Sequence, residues 1–270
     1  MRAIRLKTEH LFDPIGVDDS APRLFWNCEG GVKQTAYQII AADDAGNSLW
    51  DSGKVESSSM CAHWGGDPVP PKTKVLWRVR LWDDSDTAGD WSEAAFETGI
   101  NTWNAKWITG NYKVHKKRRY PVDCFRKKFN VPDVQKARLY ITACGLYEAK
   151  LNGKRVGNFI LAPGITDYRK RVQYQIYDVT ELLQAGENTL TVHLADGWYR
   201  GSCGAWGIRN QYGTETKLLA QLELTRADGS VQTIATDESW DWSNDGPIRF
   251  ADNKDGEVVN ANNVPLYQGK

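Results

Sequence analysis

The sequence has no excess of charge of either sign, no long apolar run, and cysteines too few and too scattered to tie it together covalently. Lysine plus arginine and aspartate plus glutamate both number 34, so the formal net charge is zero. There is no global electrostatic footprint for nucleic acid or an anionic membrane, and neither is expected as a partner. The one basic run, Lys116-Lys117-Arg118-Arg119, lies between tyrosine and proline in a loop-like stretch and reads as a solvated loop. The five cysteines, at 28, 61, 124, 144 and 203, are odd in number and include no Cys-x-x-Cys pair. That pattern fits neither a disulfide framework nor a zinc site, so free, mostly buried thiols in a reducing compartment are expected. The N-terminus, Met1-Arg2-Ala3-Ile4-Arg5-Leu6-Lys7, lacks the apolar stretch of a signal peptide. A cytoplasmic location is expected, although a chain whose leader had been removed would look the same. Nucleophile-elbow, phosphate-loop, dinucleotide and zinc-protease motifs are all missing.

What is present is apolar and aromatic. Hydrophobic residues make up 41% of 270, enough to fill the cores of two ordinary domains, and twelve of them are tryptophan. Aromatic side chains suit strands, sandwich cores and sugar-binding surfaces alike. Residues 1–100 read as short alternating runs between turns: Arg23-Leu24-Phe25-Trp26, Tyr37–Ala42, the turn Asp43-Asp44-Ala45-Gly46-Asn47, then Ser48–Gly53. Val75–Trp82 alternates, with Trp77, Val79 and Leu81 on one face. A turn at Asp83–Gly89 leads into Trp91–Thr98. No stretch supports three helical turns, and the rhythm predicts a sandwich.

Residues 101–270 repeat that rhythm after Gly99. Strands are expected at Cys124–Val131, closed by Pro132, and at Ala137–Ala143, Leu146–Leu151, Gln173–Val179, Thr189–Leu194, Lys217–Leu224 and Val231–Ala235. Asn152-Gly153 is a strong hairpin signal, and Thr180–Leu183 reads as one short helical turn capped by Asp178 or Thr180. The fold class is therefore all-β, two β-sandwich domains meeting near Gly99–Trp103.

These residues also carry a resemblance. Pro22–Trp26, Trp77–Asp83 and Gly89–Ser92 resemble the second strand and last hairpin of a fibronectin type III or immunoglobulin-like domain. That family has tyrosine where this chain has Trp77, whose indole offers no phenolic oxygen. Ala149–Gly157 with its Asn152-Gly153, then Leu161–Tyr168, Tyr177–Thr180, Gly186-Glu187-Asn188 and Asp196-Gly197-Trp198-Tyr199-Arg200-Gly201 resemble the N-terminal domain of bacterial α-L-rhamnosidases. In that glycoside hydrolase family a fibronectin-like module precedes this domain, so the resemblance covers nearly the whole chain. It implies a second sandwich of jelly-roll or galactose-binding type and a non-catalytic N-terminal region. The parent enzyme it implies removes terminal α-L-rhamnose with carboxylates of an α/α toroid that would follow Lys270. Inversion needs two carboxyls about 6.5–9.5 Å apart. The Asp and Glu here fall mostly at turns, where they bond to backbone. Val259-Asn260 departs from the Tyr-Asp that relatives carry.

Candidate binding residues cluster late in the chain. Two glycines bracket Trp198-Tyr199-Arg200 after Asp196, so the chain can bend there and present large side chains. Trp198 and Tyr199 could stack on a rhamnose-containing carbohydrate while Asp196 and Arg200 bond its hydroxyls. The competing reading is a buried aromatic corner locked by an Asp196–Arg200 pair. Trp206, in the glycine-rich Gly204-Ala205-Trp206-Gly207, is expected to be exposed. Asp252, Asp255 and Glu257 have short spacings that could suit calcium, which the resemblance also brings in, or they are solvated loop acids. His193 reads as a satisfied core residue. Beside the accessory reading stand two alternatives, a self-contained carbohydrate-binding module and a purely structural adaptor of the catalytic domain.

Overall fold

In this computed structural model residues 1–131 and 133–267 are described; Pro132 and the last three residues of the Pro265–Lys270 run lie outside them. The chain divides into two compact units, Met1–Thr102 and a second from Trp103 on. Both are all-β apart from one turn of α-helix and one of 3-10 helix among the described residues.

The first unit contains β1 (Arg2–Thr8), β2 (Ile15–Val17), β3 (Arg23–Glu29), β4 (Gln34–Asp43), β5 (Ser48–Asp51), β6 (Val55–Glu56), β7 (Cys61–His63), β8 (Lys74–Asp83) and β9 (Ser92–Thr98). One sheet runs β2-β9-β8-β4-β5, with β6 also on β4, and the other runs β1-β3-β7. Ile39 pairs with Val79 and Ala41 with Trp77 across β4 and β8, so one face of each strand points into the core. Ile39, Val79 and Leu81 are fully buried, and Trp26 and Trp77 nearly so. Trp26 donates its indole N–H to Gln34 Oε1 at 2.9 Å. The indole N–H of Trp77 is buried and meets no acceptor, so this tryptophan contributes volume and no hydrogen bond. Four strands of this unit escaped the sequence reading, the short β6 and β7 along with β1 and β2. β1 hides its pattern behind alternating charges and a left-handed Arg5 (φ 53), and the three-residue β2 pairs parallel with β9. The Pro22–Trp26 segment is consequently the third strand in chain order.

The second unit contains β10 (Asp123–Val131), β11 (Lys136–Cys144), β12 (Leu146–Leu151), β13 (Lys154–Arg155), β14 (Gln175–Asp178), β15 (Gly186–Ala195), the turn α1 (Gly197–Arg200), β16 (Lys217–Thr225), β17 (Val231–Ala235), β18 (Asp241–Ser243), β19 (Ile248–Asp252) and β20 (Gly256–Val259). An antiparallel sheet ordered β13-β12-β15-β10-β18 faces another ordered β14-β11-β16-β17, and β19 and β20 form a separate hairpin. Phe125, Leu139, Ile141, Val192, Leu222 and Trp240 fill the space between. β11 is buried on both faces, because residues 103–109 cross the outer side of its sheet: Asn104 N–H donates to Gln221 and Ile108 pairs with Leu218.

The turn between β12 and β13 shows why Asn-Gly stands there: both residues are left-handed, Asn152 at φ 52 and Gly153 at φ 78. Asn152 does more than turn the chain. Its Nδ2 donates to Asn188 Oδ1 at 2.7 Å, and its Oδ1 accepts the Thr189 N–H at 2.9 Å. Asn188, with no exposed surface, also accepts from Gln184 N–H and donates to the carbonyls of Gln184 and Gly186. The Asn-Gly and Gly-Glu-Asn motifs are thus two ends of one buried amide clasp. The helical turn is a 3-10 turn, Thr180–Leu182, and Asp178 Oδ1 accepts the Thr180 N–H at 3.1 Å. Of the five free thiols, Cys124 and Cys144 are buried and the other three half-buried, fewer than expected.

Ile39→Ala should lower the unfolding free energy by about 2–5 kcal/mol, the cost of emptying a core site, read from urea denaturation followed by tryptophan fluorescence. A second expectation concerns His193, on β15 between Glu148 and Cys124. Burial, helped by Lys150 and opposed by Glu148, lowers its pKa below the ordinary value. As pH falls through the ordinary histidine range, about 6.5, the unfolded chain takes up this proton before the folded one, so stability should fall between pH 7 and 5. His193→Gln should flatten that part of the pH–stability curve.

Candidate functional site

Where β15 ends, the chain winds once as α1, and this turn carries Arg200 back over Asp196. Arg200 Nε donates to Asp196 Oδ1 at 2.7 Å, and Nη2 lies 2.7 Å from the same oxygen. Asp196 Oδ2 accepts from Arg209 Nη2 at 2.8 Å. On its other side Arg200 Nη1 donates to the Tyr112 hydroxyl at 2.7 Å, and that hydroxyl donates to Asp123 Oδ2 at 3.2 Å. Asp123 further accepts from Thr216 Oγ1 at 2.9 Å and from the Trp242 indole at 3.0 Å. The Tyr120 ring lies 5.3 Å from the Arg200 guanidinium. Arg200 and Asp196 are only 2% and 3% exposed and Asp123 not at all, so these charges form a sealed chain of donors and acceptors. Burial pushes the Asp123 carboxyl above its ordinary range, against the pull of Arg200 and the bonds from Trp242, Thr216 and Tyr112. Burial likewise raises the Tyr112 phenol, with Asp123 adding to it.

The turn closes against β19. A Cβ on Gly201 would stand 2.5 Å from Asp252 Oδ2, so only glycine lets that carboxylate reach the backbone here. Asp252 Oδ2 accepts the Ser202 N–H at 2.7 Å, and its Oδ1 accepts the N–H groups of Lys254 and Asp255. Asp255 Oδ2 accepts from Ser202 Oγ at 2.7 Å and from Arg119. The basic loop is therefore tied down rather than freely solvated, since Arg209 and Asn210 also donate to the carbonyls of Arg118 and Lys116.

Of the residues singled out for sugar contact, the two charged ones, Asp196 and Arg200, are buried and bonded to one another and to Arg209 and Tyr112. Tyr199 is half-buried in an aromatic cluster, 5.4 Å edge-on to Tyr168, and accepts the Tyr212 N–H on its carbonyl. Trp198 is half-buried and lines an open hollow of ≈ 480 Å³ with Leu161, Ser202, Cys203, Gly204, Asn253 and Lys254. Trp206, 90% exposed, stands at the tip of the adjoining loop. The three acids weighed for calcium are not gathered into one cluster. Asp252 and Asp255 hold backbone, Ser202 and Arg119, while Glu257 is exposed on β20. No group of three or more His, Cys, Asp or Glu among the described residues is placed to hold a metal. Sequence reasoning missed Tyr112 and Asp123, whose partners lie 88 and 93 residues away, and Arg209, 13 residues from Asp196, because such separations leave no local pattern.

An immunoglobulin-like sandwich followed by a sandwich closed by this Asp–Arg turn defines the class, a two-domain β-sandwich chain. Residues 3–102 match the family model for the Rha78A-like, N-terminal immunoglobulin domain, and residues 132–267 match that for the alpha-L-rhamnosidase N-terminal domain. The chain belongs to the α-L-rhamnosidase N-terminal domain family. An alpha-L-rhamnosidase of Formosa agariphila is 37% identical over 94% of this chain, which spans 30% of that protein's length. The native α-L-rhamnosidase of Aspergillus terreus superposes with a TM-score of 0.89 at 34% identity, covering 96% of this chain and 31% of that one. The Streptomyces avermitilis α-L-rhamnosidase, solved in complex with L-rhamnose, superposes at 0.87 with 25% identity, covering 100% and 45%.

Removing the Arg200 guanidinium should take a bond from each of two partners, Asp196 and Tyr112. Arg200→Met is expected to cost about 3–5 kcal/mol, the scale for breaking a buried pair, in thermal or urea unfolding. Trp206→Ala, at an exposed tip, should stay within about 0.5 kcal/mol of the parent chain.

Proposed function

We propose that this chain is the N-terminal accessory region of an α-L-rhamnosidase, supporting a catalytic domain of the same protein that hydrolyses terminal α-L-rhamnose. The observation that carries the proposal is the succession of both family matches, in order, along a chain spanning about 30% of the relatives' length. Glycoside hydrolysis by inversion needs one protonated and one ionised carboxyl flanking the bond with room for water. In the second unit the buried carboxylates are already engaged: Asp123 by Trp242, Thr216 and Tyr112, and Asp196 by two arginines. A carbohydrate-binding role would rest on Trp206 with the hollow beside Trp198, since that indole is exposed and free of intramolecular hydrogen bonds among the described residues.

The purified 270-residue chain should give no turnover of a chromogenic α-L-rhamnoside above a matched blank. Turnover abolished by a single carboxylate substitution within this chain would overturn the accessory reading. Calorimetric titration with L-rhamnose tests the binding role directly.

A further inference from the structure

We infer that the exposed apolar face formed by Leu161, Trp206 and Ile208 is where the remainder of an α-L-rhamnosidase chain docks, and that it is not a sugar platform. This rests on the proposed accessory function and adds the surface through which it acts. Leu161, Trp206 and Ile208 are 50%, 90% and 60% exposed, and Phe159 and Ile160 continue the face at 48% and 62%. Leu161 and Gly204 line the same hollow, which brings the two loops together.

Two features set this face apart from incidental apolar exposure. Leu161 is held in the left-handed region at φ 59, a conformation unfavourable for a branched side chain, so the backbone is strained to present it. The Trp206 loop is also braced. Cys203 and Ile208 exchange backbone hydrogen bonds of 2.9 and 3.0 Å, and Lys254 Nζ donates to the carbonyls of Gly204 and Ala205 at 2.6 and 3.0 Å. A rigid aromatic anchor with apolar neighbours is the composition of a protein-interface centre.

A pyranose would require free polar groups around the indole, because its hydroxyls must be bonded as its C–H face stacks. Here the ionic groups are engaged within the protein, Lys254 on carbonyls, Asp252 on three backbone N–H groups and Asp255 through one oxygen on Ser202 and Arg119, which leaves the Asn253 amide as the main polar group of the hollow. The occupant follows from the relatives. The shared region is 30% of the Formosa agariphila enzyme and 31% of the Aspergillus terreus one, so more than two thirds of each lies outside it in the same polypeptide. A tethered partner acts at a millimolar-scale effective concentration, so a face of modest area suffices.

The test titrates this chain by calorimetry with the separately produced remainder of the Formosa agariphila enzyme. The wild-type chain should bind, and the Leu161→Gly/Trp206→Ser double variant should bind at least tenfold more weakly. Glycine relieves the strain at 161 and position 206 is exposed, so the melting temperature should hold; if it falls, Trp206→Ser alone decides. L-Rhamnose at millimolar concentration should give no heat. Equal binding by the variant, or no binding by the wild-type chain with the two proteins at millimolar concentration, overturns the docking face and leaves the accessory function standing. Rhamnose binding that the variant loses assigns the face to sugar, and self-association by light scattering that it loses assigns it to a second copy; either result overturns the inference.

Discussion

A guanidinium that cannot reach water must find its hydrogen bonds in protein, and Arg200 finds them through Nε and Nη1 at one end of the second sandwich. Its neighbours are drawn from the whole unit: Asp196 from the end of β15, Tyr112 from the segment before β10, and through Tyr112 Asp123 at the first residue of β10. Asp123 in turn holds Thr216, just before β16, and Trp242 on β18. Both sheets are therefore tied to one line of charge. Removing any one member takes a partner from the next while it stays buried, which costs more than the bond itself contributes.

The same logic places the loops. Because Arg200 occupies the first oxygen of Asp196, the second is free for Arg209, and Arg209 and Asn210 then fix the loop carrying Lys116 and Arg118. On the far side of Gly201, Asp252 gathers three backbone N–H groups and sets the start of the segment that leads to Trp206. The result is an interior whose carboxylates are engaged by protein donors and a tip with an apolar ring exposed.

Much of the architecture could be read in the residues, for physical reasons that differ by element. The alternation of Trp77, Val79 and Leu81 identified β8 because one face of that strand is buried and the other largely exposed. The Asn152-Gly153 turn was legible because both residues must be left-handed. β11 and β16, buried on both faces, show no alternation and were found as apolar runs bounded by turns. β1 was missed because its charges interrupt the pattern. At the candidate site, the Asp196–Arg200 lock stood among the readings because the residues are four apart. The rest of the chain of charge was invisible, since Tyr112 and Asp123 precede Arg200 by many strands and nothing in their local sequence marks them as its partners.

That difference bears on what the family-marking motifs mean. Asn152 and Asn188 form a buried clasp, and Asp196, Gly201 and Arg200 form a buried lock; each is demanding chemistry met by one geometry. Residues of this kind identify the fold because few substitutes satisfy several buried hydrogen bonds at once. They say little about a ligand, which has to be met by groups whose polar atoms or faces remain free. In the second unit the motif residues and the exposed residues are nearly separate sets. Trp206 lies outside the lock and contributes no buried surface to it, yet the lock and the Asp252 bonds hold the segment that presents its ring. Ordering that segment within the fold removes an entropic cost that any partner of the exposed ring would otherwise meet on association.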